Sequence, residues 1–211
     1  MEGDLVREGK EQIKVGLELI VWSKLACWDK NDFKLVANNA DQFEGDQGHE
    51  RFHNRYGRLI CWIIFCVGAE YLGKGFCLVN GHNLSKLDKA IQTPDPRIDF
   101  GKWIELASQY EKNKQKTKRI ECDEKNYGTL GGLRGVVSKY IEEDSQKNLV
   151  EACYRYLAST IRNRDVHYYA KERRRFDFHM VEKLFVPAFN IVLKSVEQKH
   201  PGFCSQWEHT Y

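Results

Sequence analysis

The sequence predicts an all-α protein, and three observations carry that expectation. Apolar residues recur at spacings of three and four along most of the chain, the period of a helix with one buried face. Leu, Ile, Lys, Glu and Arg are spread evenly and there are only four prolines, which favours helices over a turn-rich β fold. Hydrophobic residues make up 42% and aromatics 12% of 211 residues, enough for one well-packed core and too much for a disordered chain.

Taken in order, residues 4–26 place Leu5, Ile13, Val15, Leu17, Leu19, Ile20 and Leu25 among charges, an amphipathic helix. Asp32 to about Gln42 reads as a second, shorter one. The polar stretch Glu44–Glu50 holds two glycines and reads as a loop. Residues 1–45 are therefore expected to form an accessory helical piece, with the main domain spanning 46–211. From Arg51 to about Leu78 the chain is at its most apolar. Phe52, Tyr56, Leu59, Ile60, Ile63, Ile64, Val67 and Tyr71 fall on one face, and Trp62, Phe65 and Cys66 make the opposite side apolar too. Such a helix is normally central in its bundle. Asn80-Gly81 supplies its stop.

Residues 82–128 form a variable, basic insert, broken by Pro94-Asp95-Pro96. A short helix is readable over Trp103–Tyr110, and a dense cationic run over Lys112–Arg119. Thr129 is the expected cap of a glycine-weakened helix, and Ser145 of the strongest one. The latter's inward stripe reads Leu149, Val150, Cys153, Tyr156, Leu157, Thr160 and Ile161. A last helix is expected over Phe176 to Glu197, bent at Pro187.

Seven scattered cysteines, with no C-x-x-C pair, fit neither a disulfide framework nor a zinc site, and read as buried thiols in a reducing compartment. The first residues are charged where a secretory signal needs an apolar stretch. The run from Leu59 to Ala69 meets Glu70 and Lys74 before the roughly 20 residues that span a bilayer. A soluble, cytoplasmic protein without membrane attachment is the expectation. The formal net charge of +3 is too small to announce nucleic-acid binding by itself.

The chemistry is expected in the segment Arg162-Asn163-Arg164-Asp165-Val166-His167, into which the Ser145 helix runs directly. Asn163 and His167 lie four residues apart and share a helical face. Arg162 lies five residues from His167, about 140° around an ideal helix. On one straight helix these two groups do not meet over a single phosphate. Either the helix is distorted, or a two-fold dimer brings one copy's Arg162 to the other's His167, which is the expected arrangement. A histidine titrating near neutrality takes a proton from an RNA 2′-hydroxyl or gives one to the leaving 5′-oxygen. A guanidinium grips phosphate oxygens and stabilises the charge that develops on them. Nearby Asp and Glu residues do not cluster as a two-metal site would require, so no metal or other cofactor is expected.

The pattern Arg162-Asn163-x-x-x-His167 resembles the R-x4–6-H motif of HEPN domains, in the form where Asn follows Arg. The order of features over residues 50–198 is similar too: an apolar helix carrying Ala69-Glu70-Tyr71-Leu72-Gly73-Lys74, a variable middle, Thr129-Leu130-Gly131, an amphipathic helix, the motif and a final apolar helix. A second match to the loose motif, Arg174 with His179, lacks the asparagine and closes no long amphipathic helix. The resemblance implies a four- to five-helix bundle with an N-terminal helical extension. It also implies a homodimer with both motifs at its interface, and metal-independent RNA cleavage that leaves a 2′,3′-cyclic phosphate. Toxins and antiviral effectors use such domains, which adds an antitoxin or defence-system protein as a partner. The alternative is a HEPN-like module that binds RNA, nucleotide or protein without catalysis.

Around the motif, Arg164, Lys171, Arg173, Arg174 and Arg175 offer cations for RNA phosphates. Glu70, a carboxylate in an apolar helix, needs a partner: Arg162 or His167 on one reading, Lys74 one turn on by the other. Tyr169 matches the tyrosine that is adenylylated in HEPN toxins silenced by small nucleotidyltransferases.

Overall fold

The computed structural model describes residues 2–38, 55–82, 130–158 and 178–207, all within one compact unit. The described chain is mostly helical, with one small sheet. Helix α1 (Glu2–Trp22) leads into an antiparallel hairpin of β1 (Ala26–Asp29) and β2 (Lys34–Ala37). Helix α2 (Arg55–Val79) follows, then α3 (Leu130–Val137) and α4 (Asp144–Tyr156). A helical turn (Phe178–Met180) and a π-helical segment (Val181–Phe185) run into α5 (Val186–Lys199).

Helices α1 and α2 pack antiparallel at unusually short range, and glycine is the reason. A Cβ placed on Gly9 would stand 2.8 Å from the Gly75 carbonyl, and one on Gly75 would stand 2.5 Å from that of Gly9. One turn pair along, a Cβ on Gly16 would lie 2.6 Å from Leu72 N, and one on Gly68 would lie 2.8 Å from Gly16 O. Each helix thus carries two glycines seven residues apart on the face turned to the other. Ile13, Leu17 and Ile20 are fully buried beside them. The N-terminal helix is therefore a layer of the core. The expected boundary at residue 45 lies outside the described residues.

Helix α2, expected to be central because it is apolar on both sides, has one side in the core and the other exposed. Trp62, Phe65, Cys66, Ala69, Leu72 and Phe76 are buried, whereas Ile60, Val67 and Tyr71 are 52%, 41% and 37% exposed. Both sides are apolar, so spacing alone gave no means of choosing between them. The stretch Ile60–Val79 is apolar and long enough to cross a bilayer, but 67% of it is buried inside the protein, as befits a core helix. Its end follows the expected stop. Gly81 adopts φ +77°, and the N–H groups of Gly81 and His82 bond back to the carbonyls of Leu78 and Cys77, closing the helix with a left-handed glycine.

The helix expected over Asp32 to Gln42 is corrected, up to Asn38, to strand β2 and the turn before it, and residues 39–42 lie outside the described residues. Asp29 Oδ1 accepts the Asn31 N–H at 2.9 Å, a local bond that favours a turn over a helix. The edge of β2 then docks on α5: Asn190 Oδ1 accepts the Leu35 N–H, and Asn190 Nδ2 donates to the Leu35 carbonyl, both at 2.8 Å. One side-chain amide stands in for a third strand. Trp28 packs edge-on against Trp207 with ring centroids 4.7 Å apart, fastening the other strand.

Helix α4 begins one residue before Ser145. Glu143 is its N-cap residue, and the Ser145 hydroxyl bonds to the Glu143 carboxylate rather than to the helix backbone. Of the expected stripe, Val150, Cys153 and Leu157 are buried and Leu149 and Tyr156 half-buried, while Thr160 and Ile161 lie outside the described residues. Tyr154, not assigned to the core by spacing, is fully buried. The last helix is broken just before Pro187. Val186 N–H bonds to the Val181 carbonyl, a π-type turn whose extra width leaves room for a ring that would clash with the carbonyl four residues back. Phe65, Phe185, Phe189 and Tyr154 join α2, α4 and the last helix in one aromatic cluster, with centroids 5.6–6.4 Å apart.

Candidate active site

Of the residues named for the site, Glu70 and Lys74 lie on α2, and α4 is the described helix that precedes the motif in sequence. The two helices meet where Tyr154 Oη donates to the Ala69 carbonyl at 3.1 Å. The contact is possible because residue 73 is glycine: a Cβ there would stand 2.7 Å from Tyr154 Oη. A buried phenol needs an acceptor, and a helical carbonyl has a second lone pair to offer. The next residue along α2 is Glu70. Its Oε1 pairs with Lys74 Nζ at 2.8 Å, with side-chain exposures of 18% and 27%. Lys74 Nζ also lies 5.9 Å from the centre of the Tyr71 ring. Of the two partners open to Glu70 in the sequence, Lys74 one turn on is thus in place.

Arg162, Asn163, Arg164, His167, Tyr169, Lys171, Arg173, Arg174 and Arg175 all lie outside the described residues, as do Thr129, the Trp103–Tyr110 stretch and the Lys112–Arg119 run. Helix α4 ends at Tyr156, and the described residues stop four short of Arg162, at Ala158. On its outer face Asn148, Glu151, Ala152, Arg155 and Tyr156 line a groove of about 360 Å³. The lining is mixed and carries both signs of charge. Spacing alone missed it, because Tyr156 reads as a core residue and proves half-buried at the groove's edge.

The described cysteines are free thiols. Cys61, Cys66, Cys77, Cys153 and Cys204 are buried and Cys27 is exposed. Burial pushes the Cys77 thiol up to about 12. Burial, then the neighbouring Cys66, raises Cys153 well above its ordinary value. These thiols act as small apolar core groups and not as nucleophiles, since the thiolate is the reactive form. Among the described residues no three His, Cys, Asp or Glu side chains are grouped as metal ligands. His179, half of the second R-x4-H match, is an exposed side chain 3.7 Å from Glu182, an ordinary pair on the helix surface.

No protein-family model matches the chain, and no curated protein or solved structure matches it.

Proposed function

We propose that the protein is a metal-independent endoribonuclease of the HEPN type, acting as a homodimer in the cytoplasm. The observation that carries the reading is the Arg162-Asn163-x-x-x-His167 sequence, which begins six positions after the last residue of α4, a helix whose inward residues Val150 and Cys153 are buried at the expected period, as is Leu157 just beyond it. His167 moves the proton of the RNA 2′-hydroxyl, Arg162 neutralises the phosphate oxygens, and Asn163 orients the linkage. Because the nucleophile is the 2′-hydroxyl, the substrate is RNA and the product ends in a 2′,3′-cyclic phosphate. Arg164, Lys171, Arg173, Arg174 and Arg175 bind the flanking phosphates.

Two further features support it. Ile60, Val67 and Tyr71 form an apolar row on α2 that is exposed among the described residues, the kind of surface a second copy covers. The helical core, with α2, α4 and α5 sharing one aromatic cluster, suits the four- to five-helix bundle of that family.

The test is cleavage of RNA by the purified chain in EDTA with mapping of the product ends. The wild type is expected to leave cyclic phosphates. His167→Ala and Arg162→Ala should each lose about 100-fold or more, the usual worth of an acid–base group or a charge-stabilising contact. Undiminished cleavage by both folded variants rejects the assignment.

A further inference from the structure

The groove of about 360 Å³ on the outer face of α4 has residues that the cleavage chemistry leaves unused. From Asn148 to Tyr156 it follows one helix for about 12 Å, and Ala152 contributes only a methyl group to its middle. Tyr156 is half-buried, and on the core side its ring packs against Phe185 with centroids 5.9 Å apart. That contact holds the ring in place at the groove's edge. An aromatic ring fixed in this way is a platform on which a flat ligand stacks.

Glu151 gives the groove its selectivity. It is half-buried, and among the described residues its carboxylate has neither a hydrogen bond nor an ion pair. A carboxylate partly withdrawn from water needs donors, and since it only accepts, it repels phosphate oxygens and takes N–H groups. Of the four RNA bases, guanine alone presents two adjacent donors on its Watson–Crick edge, N1–H and the 2-amino group. They match the two oxygens of one carboxylate. Adenine and cytosine each offer an amino group beside an acceptor, and uracil offers one N–H between two acceptors.

We propose that this groove holds a guanine base of the RNA, stacked on Tyr156 and donating from N1–H and its 2-amino group to the Glu151 carboxylate. The base so held selects where the strand is cut. A volume of 360 Å³ suits a ligand of nucleotide size. Six residues of chain lead from Tyr156 to Arg162 and reach at most about 20 Å, which keeps the base within a few nucleotides of the motif. The inference rests on the nuclease reading for its choice of RNA as ligand, and it shares no residue with the cleavage chemistry.

The test is calorimetric titration of the full chain with the four ribonucleoside 5′-monophosphates, which carry the same phosphate and hold no linkage to cut. Guanosine monophosphate is expected to bind about tenfold or more tighter than the other three, the discrimination that one good two-bond base contact supplies. Inosine monophosphate, which lacks the 2-amino group, should lose most of that margin. Glu151→Gln replaces one acceptor by a donor, the pattern that matches adenine, and should turn the preference from guanine to adenine. Tyr156→Leu keeps an apolar side chain against Phe185 and should weaken all four by about fivefold or more. Equal binding of the four, binding of none, or a guanine preference that survives Glu151→Gln overturns the proposal. Cleavage is read separately. A chain that cuts RNA without regard to guanine overturns the base site and leaves the nuclease, whereas guanine binding by a chain that cuts no RNA removes the nuclease and leaves the base site.

Discussion

Tyr154 and Gly73 are fitted to each other: the phenol of one occupies the space that a side chain on the other would fill, 2.7 Å from an added Cβ. The pairing lets α4 close on α2 and places the Tyr154 hydroxyl on the Ala69 carbonyl. Gly73→Ala should destabilise the protein by about 1–3 kcal/mol through overpacking, despite alanine's better helix propensity. Tyr154→Phe should cost about 1 kcal/mol for the lost bond. In the double variant the two costs should not add, because removing the hydroxyl relieves part of the clash. Urea denaturation of the three variants measures the coupling.

The glycine pairs between α1 and α2 give a sharper contrast. Gly75→Ala puts a methyl 2.5 Å from the Gly9 backbone carbonyl, which cannot turn aside as a side chain can. Separating the helices should cost about 3 kcal/mol or more, as large overpacking effects do. Gly135→Ala in α3, with nothing within 4 Å of the new methyl, should instead stabilise by about 0.5–1 kcal/mol. Opposite signs for the same substitution in two helices are measurable by thermal unfolding. Destabilisation of similar size at both sites would contradict the close approach.

Asn190 tests the docking of the hairpin. Its amide answers both backbone groups of Leu35, which is itself buried. Asn190→Leu keeps the volume and strands a donor and an acceptor, so the loss should be about 1–3 kcal/mol. Amide exchange should show Leu35 N–H losing its protection before the helices lose theirs.

What the sequence disclosed and what it withheld divide along physical lines. The Asn80-Gly81 stop was readable because a left-handed glycine ends a helix by local geometry. The inward residues of α4 were readable because its other face is charged. The core side of α2 was not, since Ile60 and Val67 are as apolar as Phe65 and Leu72. The hairpin was hidden as well: Ala26–Asp29 and Lys34–Ala37 are four residues each, and their third neighbour is a side chain 155 positions away. Gly9, Gly16, Gly68 and Gly75 give no local signal, because their role is the close approach of two helices far apart in sequence. At the candidate site the Glu70–Lys74 pair was one of two readings open to it, whereas the groove beside Tyr156 had no signal in spacing.

The pH dependence of stability follows from the buried acids. Cys77 and Cys204 are held at about 12 in the folded protein, by burial and, for Cys204, also by the charge of Glu197, against an ordinary value of 9.0. A raised thiol value means that stability is complete below pH 9 and falls as pH rises from there toward 12, because only the unfolded chain ionises. Cys77→Ala should flatten that decline in urea titrations under reductant. At the acid end, burial raises Glu197, but hydrogen bonds from Cys204 and Gly202 outweigh it and leave its carboxyl low. Its contribution is present above the ordinary value and lost as pH falls through the depressed one, and Glu197→Gln should remove it.

The open apolar row on α2 predicts where two copies meet. Val67→Glu, a charge placed on a 41% exposed position, should leave the fold intact. If the proposed homodimer forms through this row, the variant should run as monomer on sizing chromatography, and the proposed RNA cleavage should fall with it. A variant that remains dimeric would place the interface elsewhere.

The most direct measurement mixes inactive Arg162→Ala with inactive His167→Ala and assays RNA cleavage in EDTA after subunit exchange. If the guanidinium of one copy serves the imidazole of the other, half of the dimers regain one intact site of two, and activity returns to about one quarter of the wild type. No recovery, with both single variants folded and dimeric, would contradict a shared site. Full activity in both variants would contradict the nuclease assignment itself.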